Sequence, residues 1–236
     1  MAASYGDWFG AVERPARMFC RGMMAALVLG GVMVGQSSAQ TATAALTKPI
    51  KLVVLGDSLS AGYGLPAAAA FPARLQKALQ DKGVATEMVN AGVSGDTASG
   101  GLARLDWSIP KDTEAVIVEL GANDALRGTD PKVTRDALDQ IVKKLKARNI
   151  AVFLCGMYAP PNYGPQYAAQ FNAIYPELAK TYQVPLYPFF LEGVATIAKL
   201  NQADGLHPTA EGIDTVVKNI LPSVQAFLGT VAEQRS

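Results

Sequence analysis

The run Val53-Val54-Leu55-Gly56-Asp57-Ser58-Leu59-Ser60 decides how this chain reads. A short β-branched stretch stops at Gly-Asp-Ser, and a loop carrying Gly62 and Gly64 follows. Continuous apolar character bounded by turn residues predicts a strand buried on both faces in a parallel sheet. In open α/β sheets the C-terminal strand tips are where ligands bind. The tip here offers a hydroxyl, Ser58, which we read as a nucleophile. Gly-Asp-Ser also serves as ordinary turn chemistry, in which Asp57 or Ser58 bonds to nearby backbone. Choosing between the two needs the rest of the chain.

Outward from this run, strands and helices alternate. Strands are predicted at 50–55, 84–90, 115–120, 150–155 and 184–187. Helices are predicted at 72–82, 100–106, 133–148, 167–183 with a kink at Pro176, and 213–227 with a bend or break at Pro222. The 133–148 segment is the clearest, with Val133, Ala137, Ile141 and Leu145 on one stripe. This alternation predicts a single α/β domain with a five-stranded parallel sheet covered on both faces. Right-handed crossovers are expected.

Ahead of the first strand lies a segment different in kind. Arg14, Arg17 and Arg21 precede an apolar run from Met23 to Val34, and Ser37-Ser38-Ala39 follows. Basic, apolar and small-residue parts in this order predict a secretory signal over 1–39, cleaved after Ala39, with Ala42 to Ala44 as a second option. Met18 is an alternative start. The apolar run falls short of the roughly 20 residues a membrane span needs. Residues 40–48 read as a flexible leader and 49–236 as the folded domain, periplasmic or secreted, with no stable span once the signal is gone. Of the two cysteines, Cys20 leaves with the signal, so Cys155 has no partner and is expected to be buried.

Composition excludes several classes. The chain has 236 residues, half of them apolar, and a net charge of +1. That balance lacks the basic stripe of a nucleic-acid binder. One histidine in the whole chain leaves no Cys/His cluster for a metal, and no dinucleotide or phosphate-loop fingerprint calls for a cofactor.

Four polar motifs fall at strand ends: Gly56 to Ser60; Asn90 to Thr97; Gly121-Ala122-Asn123-Asp124; and Asp204-Gly205-Leu206-His207-Pro208. In a parallel sheet these tips share one edge and can converge on one crevice. A serine needs a base to take its proton, and His207 is the natural candidate. That imidazole needs an acceptor on its other nitrogen, a position Asp204 can fill. Negative charge developing on the attacked carbonyl needs donors: the N–H groups of Ser58 and Gly95 and the amide of Asn123. Each residue has a plain alternative as a turn, cap or tight bend, but four coincident tips strain those alternatives jointly.

These motifs, in this order and spacing, resemble the sequence blocks of the SGNH (GDSL-type) hydrolases, and most of all the bacterial periplasmic thioesterase I/lysophospholipase/arylesterase group. The resemblance runs from about Lys51 to the last helix. It implies a flavodoxin-like three-layer α/β/α domain. It also implies nucleophile, base and orienting roles for Ser58, His207 and Asp204, with Ser58, Gly95 and Asn123 as oxyanion donors.

For substrate contacts we expect Leu59, Tyr63, Leu126, Met157, Tyr158, Pro160 and Pro161. An apolar wall of this kind suits an acyl or aryl ester, or an acyl thioester, better than a sugar. Esters or thioesters such as aryl esters, acyl-CoA and lysophospholipid are the expected small-molecule partners, with no cofactor. The rival readings are an envelope acyltransferase or carbohydrate deacetylase using the same triad, and a non-catalytic flavodoxin-like binding module.

Overall fold

The computed structural model describes residues 48–235. The expected signal over 1–39, and the leader as far as residue 47, lie outside the described residues.

The first strand, β1 (Ile50–Gly56), has Leu52, Val53, Val54 and Leu55 fully buried. Successive side chains of a strand point to opposite faces. Burial of all four therefore requires cover on both faces of the sheet. After β1 come the short helix α1 (Ser58–Ala61), α2 (Phe71–Asp81) and β2 (Thr86–Gly92). Then follow α3 (Ala98–Ala103), α4 (Leu105–Ser108), β3 (Ala115–Glu119), α5 (Ala122–Arg127), α6 (Pro131–Ala147) and β4 (Ala151–Cys155). The chain continues through α7 (Gly164–Asn172), α8 (Ile174–Tyr182), β5 (Leu186–Tyr187) and α9 (Ala210–Glu233).

All pairings are parallel and the strand order is β2-β1-β3-β4-β5. The sequence pattern had left that order open. Because β2 lies on one side of β1 and β3 on the other, the strand order reverses between β1 and β3. Right-handed crossovers then place α2 on one face and α3, α6 and α8 on the other. The packing agrees: α2 lies against α9, and α6 against α3 and α8. Helix and sheet faces meet through Phe71, Leu75 and Leu79 of α2 and Leu138, Ile141 and Leu145 of α6, all fully buried. Each such side chain contributes about 1.5–3 kcal/mol on leaving water.

Several local expectations are corrected. The loop expected to follow Gly-Asp-Ser is delayed: Ser58 opens α1, with Asp57 as its N-cap and Gly62 (φ +83°) ending it. The helix expected over 167–183 is two helices that divide at Ala173, not at Pro176. Pro176 falls in the first turn of α8, where a missing N–H costs no intrahelical bond. Pro222 likewise fails to break α9, which runs unbroken from Ala210 to Glu233 and buries Ile220 and Val224 on either side of the proline. The segment 100–106 divides into α3 and α4, and the fifth strand shrinks to Leu186–Tyr187.

Candidate active site

The crevice opens beyond the ends of β1 and β3, where the strand order reverses. This is the position at which doubly wound sheets bind ligands. Ser58 is held there by the way β1 stops. Asp57 Oδ1 accepts the Leu59 N–H at 2.9 Å, which caps α1 and turns the chain sharply. His207 reaches the serine from a different part of the chain, 149 residues away, with Nε2 2.9 Å from Ser58 Oγ.

The histidine turn is built largely by Asp204. Its Oδ1 accepts the N–H groups of Leu206 (2.9 Å) and His207 (3.0 Å), and its Oδ2 lies 2.7 Å from His207 Nδ1. Those backbone donors, then the imidazole, hold the Asp204 carboxyl down at about 2. It is thus a carboxylate throughout the neutral range. Gly205 makes the turn possible, with φ +71°. Gln202 fastens the turn to its surroundings: Nε2 donates to the carbonyls of Tyr63 (2.7 Å) and Pro208 (3.0 Å), and its N–H donates to the His207 carbonyl (2.7 Å). The Tyr63 ring lies against the imidazole, centroids 4.5 Å apart.

Among the described residues, neither the Ser58 N–H nor the Gly95 N–H meets a hydrogen-bond acceptor. Gly95 has φ +87°, and Arg127 Nη2 donates to its carbonyl at 3.0 Å, which fixes that peptide. Asn123 differs, because its Nδ2 already donates to Asp57 Oδ2 (3.1 Å) and to the Asp96 carbonyl (2.9 Å). To serve a substrate oxygen, that amide must share or release one of these bonds.

Beneath this layer lies a buried polar network that sequence reasoning missed. Arg104, only 6 % exposed, pairs with the Asp96 carboxylate and donates to the Gly56 carbonyl (2.9 Å) and Ser108 Oγ (3.1 Å). It thereby joins the Gly95 loop to the end of β1. Asp124 receives the Ala98 N–H (2.8 Å) and the Thr134 hydroxyl (2.9 Å). Burial pushes the Asp57 carboxyl up to about 6. Their signal was a charge inside otherwise apolar or small-residue segments, which periodicity alone ignores.

The adjoining cleft encloses about 670 Å³. Ser58, Asn123 and His207 line it, and so do Leu59, Leu126, Met157, Tyr158, Pro160 and Pro161. Tyr63 does not line it and touches the imidazole instead. Phe189, Leu191 and Leu206, not among the expected substrate contacts, add to the wall, and Phe189 stacks on Tyr158 at 4.8 Å. Phe189 and Leu191 follow the fifth strand, so the strand-end rule used for the motifs would have found them. Among the described residues no group of His, Cys, Asp and Glu is arranged to hold a metal, and no helix is long and apolar enough to cross a membrane. Cys155 is buried, as its apolar surroundings predict.

A hydroxyl, an imidazole and a carboxylate in series, beside free N–H groups at a sheet switch point, are the equipment of a serine hydrolase. Residues 54–214 match the GDSL-like Lipase/Acylhydrolase family, and the chain belongs to it. It is 39% identical over 211 residues to the "Esterase TesA" of Pseudomonas aeruginosa, spanning 87% of this chain and 100% of that protein. It is 45% identical over 178 residues to the "Thioesterase 1/protease 1/lysophospholipase L1" of Escherichia coli strain K12, spanning 73% and 84% of the two chains. The crystal structure of a psychrotrophic esterase EstA from Pseudoalteromonas sp., inhibited by monoethylphosphonate, matches with a TM-score of 0.72 and 33% identity over 76% of this chain and 98% of that one. The chain is therefore a serine hydrolase of ester bonds with the expected SGNH-type fold.

Proposed function

We propose that this enzyme hydrolyses acyl esters and acyl thioesters through an acyl-enzyme on Ser58. His207 Nε2 takes the Ser58 proton as Oγ attacks the acyl carbonyl carbon, and Asp204 holds the imidazole in the receptive tautomer. The N–H groups of Ser58 and Gly95, with the Asn123 amide, take the oxyanion. Collapse expels the alcohol or thiol, which leaves with the proton from His207. Water, deprotonated by the same imidazole, then releases the acid and regenerates Ser58.

The single observation behind this reading is the unbroken relay Oγ–Nε2 at 2.9 Å and Nδ1–Oδ2 at 2.7 Å. The acyl group lies in the apolar cleft against Leu59, Leu126, Met157, Tyr158 and Pro160. Aryl esters, acyl-CoA and lysophospholipids present the acyl chain that such a wall accepts. The relatives named esterase, thioesterase and lysophospholipase favour the same range. The basic, apolar and small-residue order of 1–39 supports export to the periplasm or beyond, with 40–48 as leader and 49–236 as the hydrolase domain.

A fluorophosphonate probe tests the covalent step, with mass spectrometry to locate the adduct. Labelling at Ser58, abolished together with turnover in Ser58→Ala, is the expected result; turnover that survives Ser58→Ala refutes it. A panel of p-nitrophenyl esters, acyl-CoAs and lysophospholipids then ranks leaving group and chain length. Appearance of the acyl group on an added sugar or alcohol, in place of free acid, would identify a transferase.

A further inference from the structure

Directly under the Ser58 turn lies a carboxyl group with no part in the relay just described. Glu119 ends β3, pairs in register with Gly56 of β1, and is fully buried. Its Oε2 accepts the hydroxyl of Ser60, also fully buried, at 2.7 Å. Ser60 is the third residue of α1, two positions past Ser58, and the helix has only four residues. One fixed side chain in so short a helix fixes the whole turn.

The backbone is shaped around this contact. A Cβ on Gly56 would stand 2.7 Å from Glu119 Oε2 and would also collide with Ser60 Oγ. Such approaches lie well inside van der Waals contact. Gly56 has no need of left-handed backbone here; it is small because the Ser60–Glu119 pair occupies the space above it.

The arrangement is costly as a packing solution. Glu119 Oε1 is buried without a hydrogen-bond partner among the described residues. A stranded polar atom of this kind is destabilising, and a charged one more so. Burial, reinforced by the nearby Asp57 charge, pushes the Glu119 carboxyl well above its usual range, which favours the neutral acid. Apolar side chains at both 119 and 60 would fill the site with no such cost. Buried polar groups that violate this rule tend to occur where function requires them.

We infer that Glu119 is a positioning residue: through Ser60 it fixes the α1 turn, and so the direction in which Ser58 Oγ is presented to His207 and the acyl carbon. It touches no substrate atom. The inference rests on the reading of Ser58 as nucleophile.

Three variants test it: Ser60→Ala, which removes the bond from the helix side; Glu119→Leu, which removes it from the strand side; and Glu119→Gln, which keeps an acceptor oxygen. Turnover of p-nitrophenyl butyrate and the rate of fluorophosphonate labelling are measured well below each variant's Tm. Ser60→Ala and Glu119→Leu should each lower kcat and the labelling rate together, by about tenfold, with KM changed less than about twofold. The double variant should fall no further than the worse single, since both remove one contact. Glu119→Gln should stay within about threefold of wild type by the same criterion. If Glu119→Leu does not fold, Ser60→Ala and Glu119→Gln decide. A folded Ser60→Ala with a lower Tm but wild-type kcat and labelling rate overturns the inference. Ser58→Ala is the internal reference: should it keep its activity, the nucleophile reading has failed; should it be inactive while Ser60→Ala is normal, only the role of Glu119 has.

Discussion

The two partners of the 2.9 Å contact between Ser58 and His207 are supported in opposite ways. Ser58 rises from the middle of the sheet, with Asp57, Ser60 and Glu119 buried about it and Arg104 bracing the strand end. His207 rides a surface turn in which residues Ala203 to Leu206 are exposed. That turn is held by Asp204 and Gln202 rather than by a core. The hydroxyl is placed by packing and the imidazole by a few directed hydrogen bonds. Sheet residues cannot shift without disturbing neighbours on both faces, whereas a capped turn can open at a cost of one or two bonds.

Mutation of the relay sharpens this contrast first. His207→Ala should lower kcat by roughly 10⁴–10⁶ with little change in global Tm, and Asp204→Asn by roughly 10²–10⁴ with a modest fall in Tm at neutral pH, where the carboxylate contributes stability. Steady-state kinetics paired with thermal melts checks both. A large fall in Tm for either would show that the turn is more deeply built into the fold than its exposure implies. Next comes Gln202→Ala, which frees the histidine turn from Tyr63 and Pro208. A loss of about tenfold in kcat is expected, since small misplacements of a base are costly. An unchanged kcat would mean Asp204 alone suffices to hold the turn.

The contrast should also show in pH. Asp57 has a folded value near 6 against an ordinary 3.8, so the stability it contributes is full below about pH 4 and is lost as pH rises through 6. Asp204 is the reverse: held at about 2 against 3.8, it contributes stability above about pH 4 that is lost as pH falls through 2. Melts from acid to neutral pH should therefore show Asp57→Asn flattening the slope between pH 4 and 6, and Asp204→Asn changing only the acid side. Slopes of the same sign for both would contradict the assignment. The smallest effect belongs to Gly205→Asn. No atom lies within 4 Å of a Cβ there, and asparagine tolerates φ +71° better than other residues. Tm should move by about a degree or two.

How much of this the sequence disclosed follows from the same division. The apolar run Leu52 to Leu55 within β1 announced a doubly covered sheet, and the polar tips after β1, β2, β3 and β5 announced which segments would share one edge. Strand order was hidden, because periodicity reports which faces are apolar and not which strands are neighbours. Ser58, Asp204 and His207 were legible as residues that would meet because the motif order invited that comparison, and they lie in series in the structure. Glu119 and Arg104 were not: each stands in a segment whose pattern already had an explanation, and a buried charge becomes visible only when its partner from a distant segment is known. Gln202, whose partner Tyr63 lies 139 residues away, was hidden for the same reason. Proline misled on two points, the place of the division near Pro176 and a break at Pro222, since its effect depends on where in a helix it falls and what the helix packs against.

The bond from Gln202 to the Tyr63 carbonyl has one more implication. It ties the exposed turn to the loop that leaves α1, so the outer half of the relay is moored to the inner half at a point beside, not through, the reacting atoms. Warming that loosens the mooring would separate acid–base machinery from nucleophile while the sheet stayed intact. Heat should thus silence turnover several degrees before circular dichroism registers melting, and cooling should restore it.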